Sequence, residues 1–151
     1  MNCLMMTTVI AALAIATAAP AKPNFSGTWR LNKAKSNYGP VSAPKRMERK
    51  IVHADPILKM IILQANDEGE KTLDQEYRTD GSESVNKVGS REITSTAKWD
   101  GQVLVISSER GDFAQSERWT LSDDGKVLTL VNRIKSNKGN FEVTVVMDKQ
   151  E

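Results

Sequence analysis

Residues 91–106 read Arg91-Glu92-Ile93-Thr94-Ser95-Thr96-Ala97-Lys98-Trp99-Asp100-Gly101-Gln102-Val103-Leu104-Val105-Ile106. Ile93, Ala97 and Trp99 alternate with Glu92, Thr94 and Lys98. A period of two makes a strand with one dry face and one wet face. Asp100-Gly101 then interrupts the run. Asp-Gly favours positive φ at both centres of a tight hairpin turn, so Val103–Ile106 is expected to return as the neighbouring strand.

The same unit repeats along the chain. Glycines at 69, 81, 89, 101, 111, 125 and 139 lie 8 to 14 residues apart. Asp80-Gly81 and Asp124-Gly125 repeat the dipeptide, and residues 66–69 and 137–140 are looser turns of the same sort. Phe141, Val143, Val145 and Met147 oppose Glu142, Thr144 and Asp148. Trp119 and Leu121 oppose Arg118 and Thr120. Met60-Ile61-Ile62-Leu63 and Val103–Ile106 are apolar on both faces, which implies a second cover. Turn signals at this spacing mark an all-β sandwich or barrel.

Strands are predicted near 27–32, 45–54, 57–65, 71–79, 82–88, 91–100, 103–109, 115–121, 127–134 and 141–149. Short links make this an antiparallel up-and-down meander of about 8–10 strands. Closure into a barrel removes its edges. Little helix is expected: Lys71 to Arg78 is compatible with one short helix, and residues 33–44, with Pro40 and Pro44, read as a loop.

Of the 151 residues, the first 21 contain no Lys, Arg, Asp or Glu, so all 21 basic and 19 acidic side chains lie beyond them. Leu4 to Ala16 is an apolar run of signal-peptide length, too short to span a bilayer. Ala16 and Ala18, or Ala19 and Ala21, supply the small residues a signal peptidase reads. The expected organisation is a signal peptide over 1–21 and one β-barrel domain over 22–151. The protein is expected to be exported to the periplasm or the extracellular space, with no membrane segment after cleavage. The one cysteine, Cys3, falls in the signal, so no disulfide framework and no cysteine metal site is expected. A net charge of +2 is too small to imply nucleic acid as partner.

Asn24-Phe25-Ser26-Gly27-Thr28-Trp29-Arg30-Leu31 opens the mature chain. Gly27-x-Trp29 on a first strand resembles the Gly-x-Trp signature of lipocalins and intracellular fatty-acid-binding proteins, which belong with the avidins to the calycin superfamily. Lys98-Trp99-Asp100-Gly101 resembles a hairpin of the fatty-acid-binding branch. The resemblance implies that Trp29 plugs the closed end and that a basic residue of a late strand packs over it, Arg133 first and Lys149 second. It also implies that interior Arg and Tyr hold an anionic ligand. Period two puts Arg49 on the side of Met47 and Ile51, and Gln75 with Leu73 and Tyr77. Arg49, Gln75 and Tyr77 are therefore the expected ligand-binding residues. The chain departs from the fatty-acid-binding branch in its breaker-rich 33–44 segment, which does not suit a helical lid. It resembles a bacterial lipocalin-like secreted protein.

No catalytic constellation is found. His53, the single histidine, precedes a turn and is expected to face solvent. No Gly-x-Ser-x-Gly elbow occurs. Asp67-Glu68-Gly69-Glu70 and Asp123-Asp124 lack the spaced carboxylates of a calcium loop. The basic stretch Lys45–Lys50 is broken by Glu48, lacks aromatics and reads as a solvated strand face. The expected function is non-enzymatic: a barrel that takes a small apolar or amphipathic molecule into its interior, with no metal or cofactor. The alternative is an envelope or extracellular β-domain that acts as an interaction module or inhibitor without a ligand.

Overall fold

Alternation and turns are realised over ten strands in a computed structural model that describes residues 17–151. Residues 1–16, with Cys3 and most of the expected signal peptide, lie outside the described residues. The strands are β1 (Gly27–Leu31), β2 (Arg46–Ala54), β3 (Ile57–Asn66), β4 (Gly69–Arg78), β5 (Glu83–Val88), β6 (Arg91–Asp100), β7 (Val103–Arg110), β8 (Phe113–Leu121), β9 (Val127–Ser136) and β10 (Gly139–Lys149). All pairings are antiparallel, in the order β4-β3-β2-β1-β10-β9-β8-β7-β6-β5. The helical alternative for Lys71 to Arg78 is not adopted: Leu73, Gln75 and Tyr77 instead pair in strand register with Ile62, Met60 and Leu58.

The two end strands of that order, β4 and β5, face each other, and side chains join them. The Asn86 amide donates to Glu76 O at 3.0 Å and accepts from Glu76 N–H at 2.8 Å. Arg78 N–H donates to Ser84 Oγ at 2.9 Å. A primary amide carries the same donor and acceptor as a peptide group. Asn86 therefore stands in for a missing ladder rung and leaves little open edge.

Hairpin chemistry departs from expectation in one respect. Asp100 stays in its strand opposite Val103, and Gly101 is the first of two turn residues, with φ 60°. Positive φ is confined to glycine among the described residues. Gly-x, not Asp-Gly, thus forms the turn, which suits strand twist because glycine has no Cβ to clash.

The connection between β1 and β2 begins in the barrel wall. On either side of one 3-10 turn (Lys33–Lys35) it continues the β1 ladder along β10 as far as Asn37. Asn32 N–H bonds Val146 O at 2.8 Å, and Asn37 exchanges two backbone bonds with Thr144 at 2.8 and 2.7 Å. Pro40 and Pro44 remove two N–H donors from the segment and disfavour a helix there.

Candidate functional site

Cross-strand register sorts the inner face of β6–β10 into rows. Trp99, Leu104, Trp119, Leu130 and Val145 are successive partners in one row. The next row toward the mouth is Ala97, Ile106, Glu117, Asn132 and Val143. The row after that is Ser95, Ser108, Gln115, Ile134 and Phe141. An apolar floor therefore gives way to polar side chains.

The floor is tightly packed. Trp29, Trp119, Phe25, Leu58, Leu104, Leu128, Leu130 and Met147 are all less than 2% exposed. Phe25 stacks on Trp99 at 5.9 Å and meets Trp119 edge-on at 5.4 Å. Trp29 Nε1 donates to Phe25 O at 2.9 Å, and so fixes the incoming chain against the plug. Rings in such offset and edge arrangements add to the stabilisation from burial alone.

His53 corrects its expectation. It is buried, 6% exposed, because it keeps the inward parity of Ile51 and packs against both Phe25 and Trp99. Its Nδ1 accepts from Phe25 N–H at 3.3 Å and its Nε2 lies 2.7 Å from Asp55 Oδ1. Asp55 also accepts from Thr79 Oγ1 at 2.7 Å. Nδ1 thus holds the N-terminal segment to the barrel floor, and Nε2 ties the ring to the turn between β2 and β3.

The plug has a different basic partner from the one expected first. Lys149 Nζ lies 5.3 Å from the Trp29 ring centroid. Arg133 is exposed and pairs with Glu142 at 2.9 Å on the outer face. Parity explains the exchange: inward residues of β9 are Leu128, Leu130 and Asn132, which sets Arg133 outward. Gly27 makes room, since a Cβ there would stand 2.7 Å from Lys149 Cε, at a φ of 139° that other residues rarely adopt.

Above the floor sits a polar cluster. Arg49 of β2 is 7% exposed and reaches across the interior to β8. Its Nη1 donates to Glu117 Oε1 at 3.2 Å and also contacts Met60 Sδ at 3.7 Å. The guanidinium lies 5.6 Å from the Trp119 ring centroid. Arg49 Nε, Trp119 Nε1, Asn132 Oδ1 and the Tyr38 hydroxyl are buried with no hydrogen-bond partner among the described residues. Burial pushes the Tyr77 hydroxyl up, Glu117 pushes it further, and Arg49 pulls it back. Tyr38 is likewise raised by burial and lowered in part by Arg49. Tyr77 thus feels both charges of the pair, and Tyr38 that of Arg49. Gln75 is half-buried beside Met60, one step from Tyr77 along β4.

Arg49, Gln75 and Tyr77 all lie on the interior side, as parity required. Sequence reasoning missed Glu117, Asn132 and Tyr38. Glu117 was legible, because two residues back from inward Trp119 is again inward. Tyr38 carried no signal, since it lies in an irregular segment.

At the open end, Arg91, Ile93, Ser108, Glu109, Arg110 and Phe113 line a recess of about 450 Å3. Its walls are the β5–β6 and β7–β8 hairpins. Among the described residues, no group of three or more His, Cys, Asp or Glu is placed to hold a metal ion.

No protein-family model and no curated protein matches this sequence. Solved structures do. The chain resembles a secretary abundant heat soluble (SAHS) protein from Ramazzottius varieornatus with a TM-score of 0.64 at 11% identity, over 89% of this chain and 100% of that one. It resembles Echinococcus granulosus fatty-acid-binding protein 1 with a TM-score of 0.63 at 13% identity, over 84% and 98%. It resembles zebrafish ileal bile acid-binding protein, solved with cholic acid, with a TM-score of 0.60 at 16% identity, over 83% and 98%. At such identities the likeness is one of fold: the chain folds as a ten-stranded antiparallel β-barrel like those of these proteins.

Proposed function

We propose that this protein is an exported, non-enzymatic carrier that takes a small apolar or amphipathic molecule into its barrel. The observation that carries this reading is the buried polar cluster around Arg49 and Glu117, set above an apolar floor. Four of its polar atoms have no partner among the described residues. Buried polar atoms are satisfied in most proteins. A cluster of open donors and acceptors on an inner wall is what a bound molecule's polar group would complete. The open end supports the same reading, because residues 32–37 of the β1–β2 connection run along β10 and the recess there borders the interior residues Ile93 and Ser108. The fold neighbours include a fatty-acid-binding protein and a bile acid-binding protein, which are barrels of this shape with small amphipathic ligands. His53 argues against catalysis, since both its ring nitrogens already serve the fold. Export rests on the apolar run at residues 4–16 and the small residues after it.

Native mass spectrometry of protein purified from the exported fraction, followed by solvent extraction, tests both parts. A stoichiometric small-molecule adduct is expected on a chain that begins at Ala19 or Lys22. Protein that stays empty, and also takes up no amphipathic probe, would overturn the carrier reading. A mass that retains residues 1–18 would overturn cleavage.

A further inference from the structure

The interior cation of this barrel is already neutralised by the protein. Arg49 Nη1 lies 3.2 Å from Glu117 Oε1, and the two side chains are 9% and 14% exposed. A buried guanidinium is matched by an anionic partner. Here the partner comes from β8, not from a ligand. A ligand carboxylate would add a second negative charge next to Glu117. Like charges at close range in a poorly solvated site raise the cost of ionisation. The carboxylate would have to displace Glu117, expel an unpaired charge into the interior, or bind protonated.

The open hydrogen-bonding positions tell the same story. Arg49 Nε and Trp119 Nε1 are donors that await an acceptor. Asn132 Oδ1, cross-strand neighbour of Glu117, is an acceptor that awaits a donor. The Tyr38 hydroxyl serves as either. An ionised carboxylate only accepts, so it leaves Asn132 Oδ1 unsatisfied. A neutral group that both donates and accepts, such as a primary amide or an alcohol, completes both sides.

We infer that the barrel selects amphipathic ligands whose buried polar group is uncharged and bears both a donor and an acceptor, and that the Arg49–Glu117 pair excludes carboxylates of the same chain. This rests on the carrier reading above and specifies its ligand class.

The test uses a matched pair of fluorescent probes, anthroyloxy-stearic acid and its primary amide, titrated into the full mature protein at neutral pH. The amide is expected to bind at least about tenfold more tightly than the acid. In Glu117→Gln, Arg49 loses its charged partner, and the acid is expected to gain about tenfold relative to the amide. If the acid binds as well as the amide or better in the wild type, the inference falls and the carrier reading stands. If neither probe binds, the carrier reading falls and takes the inference with it. A folded Glu117→Gln protein with an unchanged ratio of acid to amide affinity would remove the pair from the selectivity. Should that variant not fold, the wild-type comparison decides alone.

Discussion

Arg49 and Glu117, on strands β2 and β8 and 68 residues apart in the chain, meet inside the barrel at 3.2 Å. Their pairing makes one side chain each from two separate walls depend on the other. Removing one partner strands a buried charge, which costs about 3–5 kcal/mol. Arg49→Met is therefore expected to lower stability by about that amount. The double variant Arg49→Met with Glu117→Leu is expected to return to within about 2 kcal/mol of wild type, because apolar replacement of both partners removes the desolvation cost. Urea denaturation of the two single variants and the double completes the cycle. Additive losses would show that the pair is not coupled.

Asn86 joins β4 to β5 through two bonds to the Glu76 backbone. Asn86→Leu keeps the volume and removes both. A loss of about 1–3 kcal/mol is expected. The Glu76 amide proton is expected to exchange faster with solvent, while amides at the β9–β10 ladder are slowed as before. Unchanged exchange at Glu76 would mean that the seam does not depend on this side chain.

Asp55 makes acid sensitivity local to the barrel floor. Burial pushes its carboxyl up, but hydrogen bonds from Thr79 and His53, with the charge of Lys22, prevail and hold it below its ordinary 3.8. A carboxyl lowered by folding contributes stability above its unfolded value, and that contribution is lost as pH falls through the folded one. Asp55→Asn is therefore expected to lower Tm at neutral pH, with the gap to wild type closing as pH drops below 3.8. Circular dichroism melts over an acid pH series check this. A gap that stays constant with pH would assign the loss to geometry alone.

Two basic residues near the end of the chain are expected to differ. Lys149→Ala removes the cation over Trp29 and costs about 0.5–1 kcal/mol. Arg133→Ala breaks an exposed pair with Glu142 and is expected within about 0.5 kcal/mol of wild type. Thermal melts of both variants in one buffer rank them. The reverse order would show that the cation over Trp29 contributes less than the exposed pair.

Tyr77 limits stability at alkaline pH. Burial and then Glu117 raise its hydroxyl above the ordinary 10.0. A group raised by folding contributes fully below its unfolded value and loses that contribution as pH climbs through the folded one. Wild type is expected to lose stability above pH 10.0, and Tyr77→Phe to lose less over the same range. Parallel alkaline denaturation curves would sink this assignment.

The architecture was legible from residue order because its causes are local. A strand's period of two and a glycine's tolerance of positive φ act over a few residues. So the meander, its turns, and the inward parity of Arg49, Gln75 and Tyr77 can be read along the chain. Parity also contained Glu117, one step from Trp119, though not its partner. What the chain order did not contain is which inward residues face each other. Arg49 meets Glu117, Lys149 and not Arg133 covers Trp29, and His53 lies buried under Phe25. Each of these depends on the register of strands far apart in sequence and on how the sheet closes on itself. Register and closure are set by the packing of the whole barrel, and that packing exists only once the chain has folded.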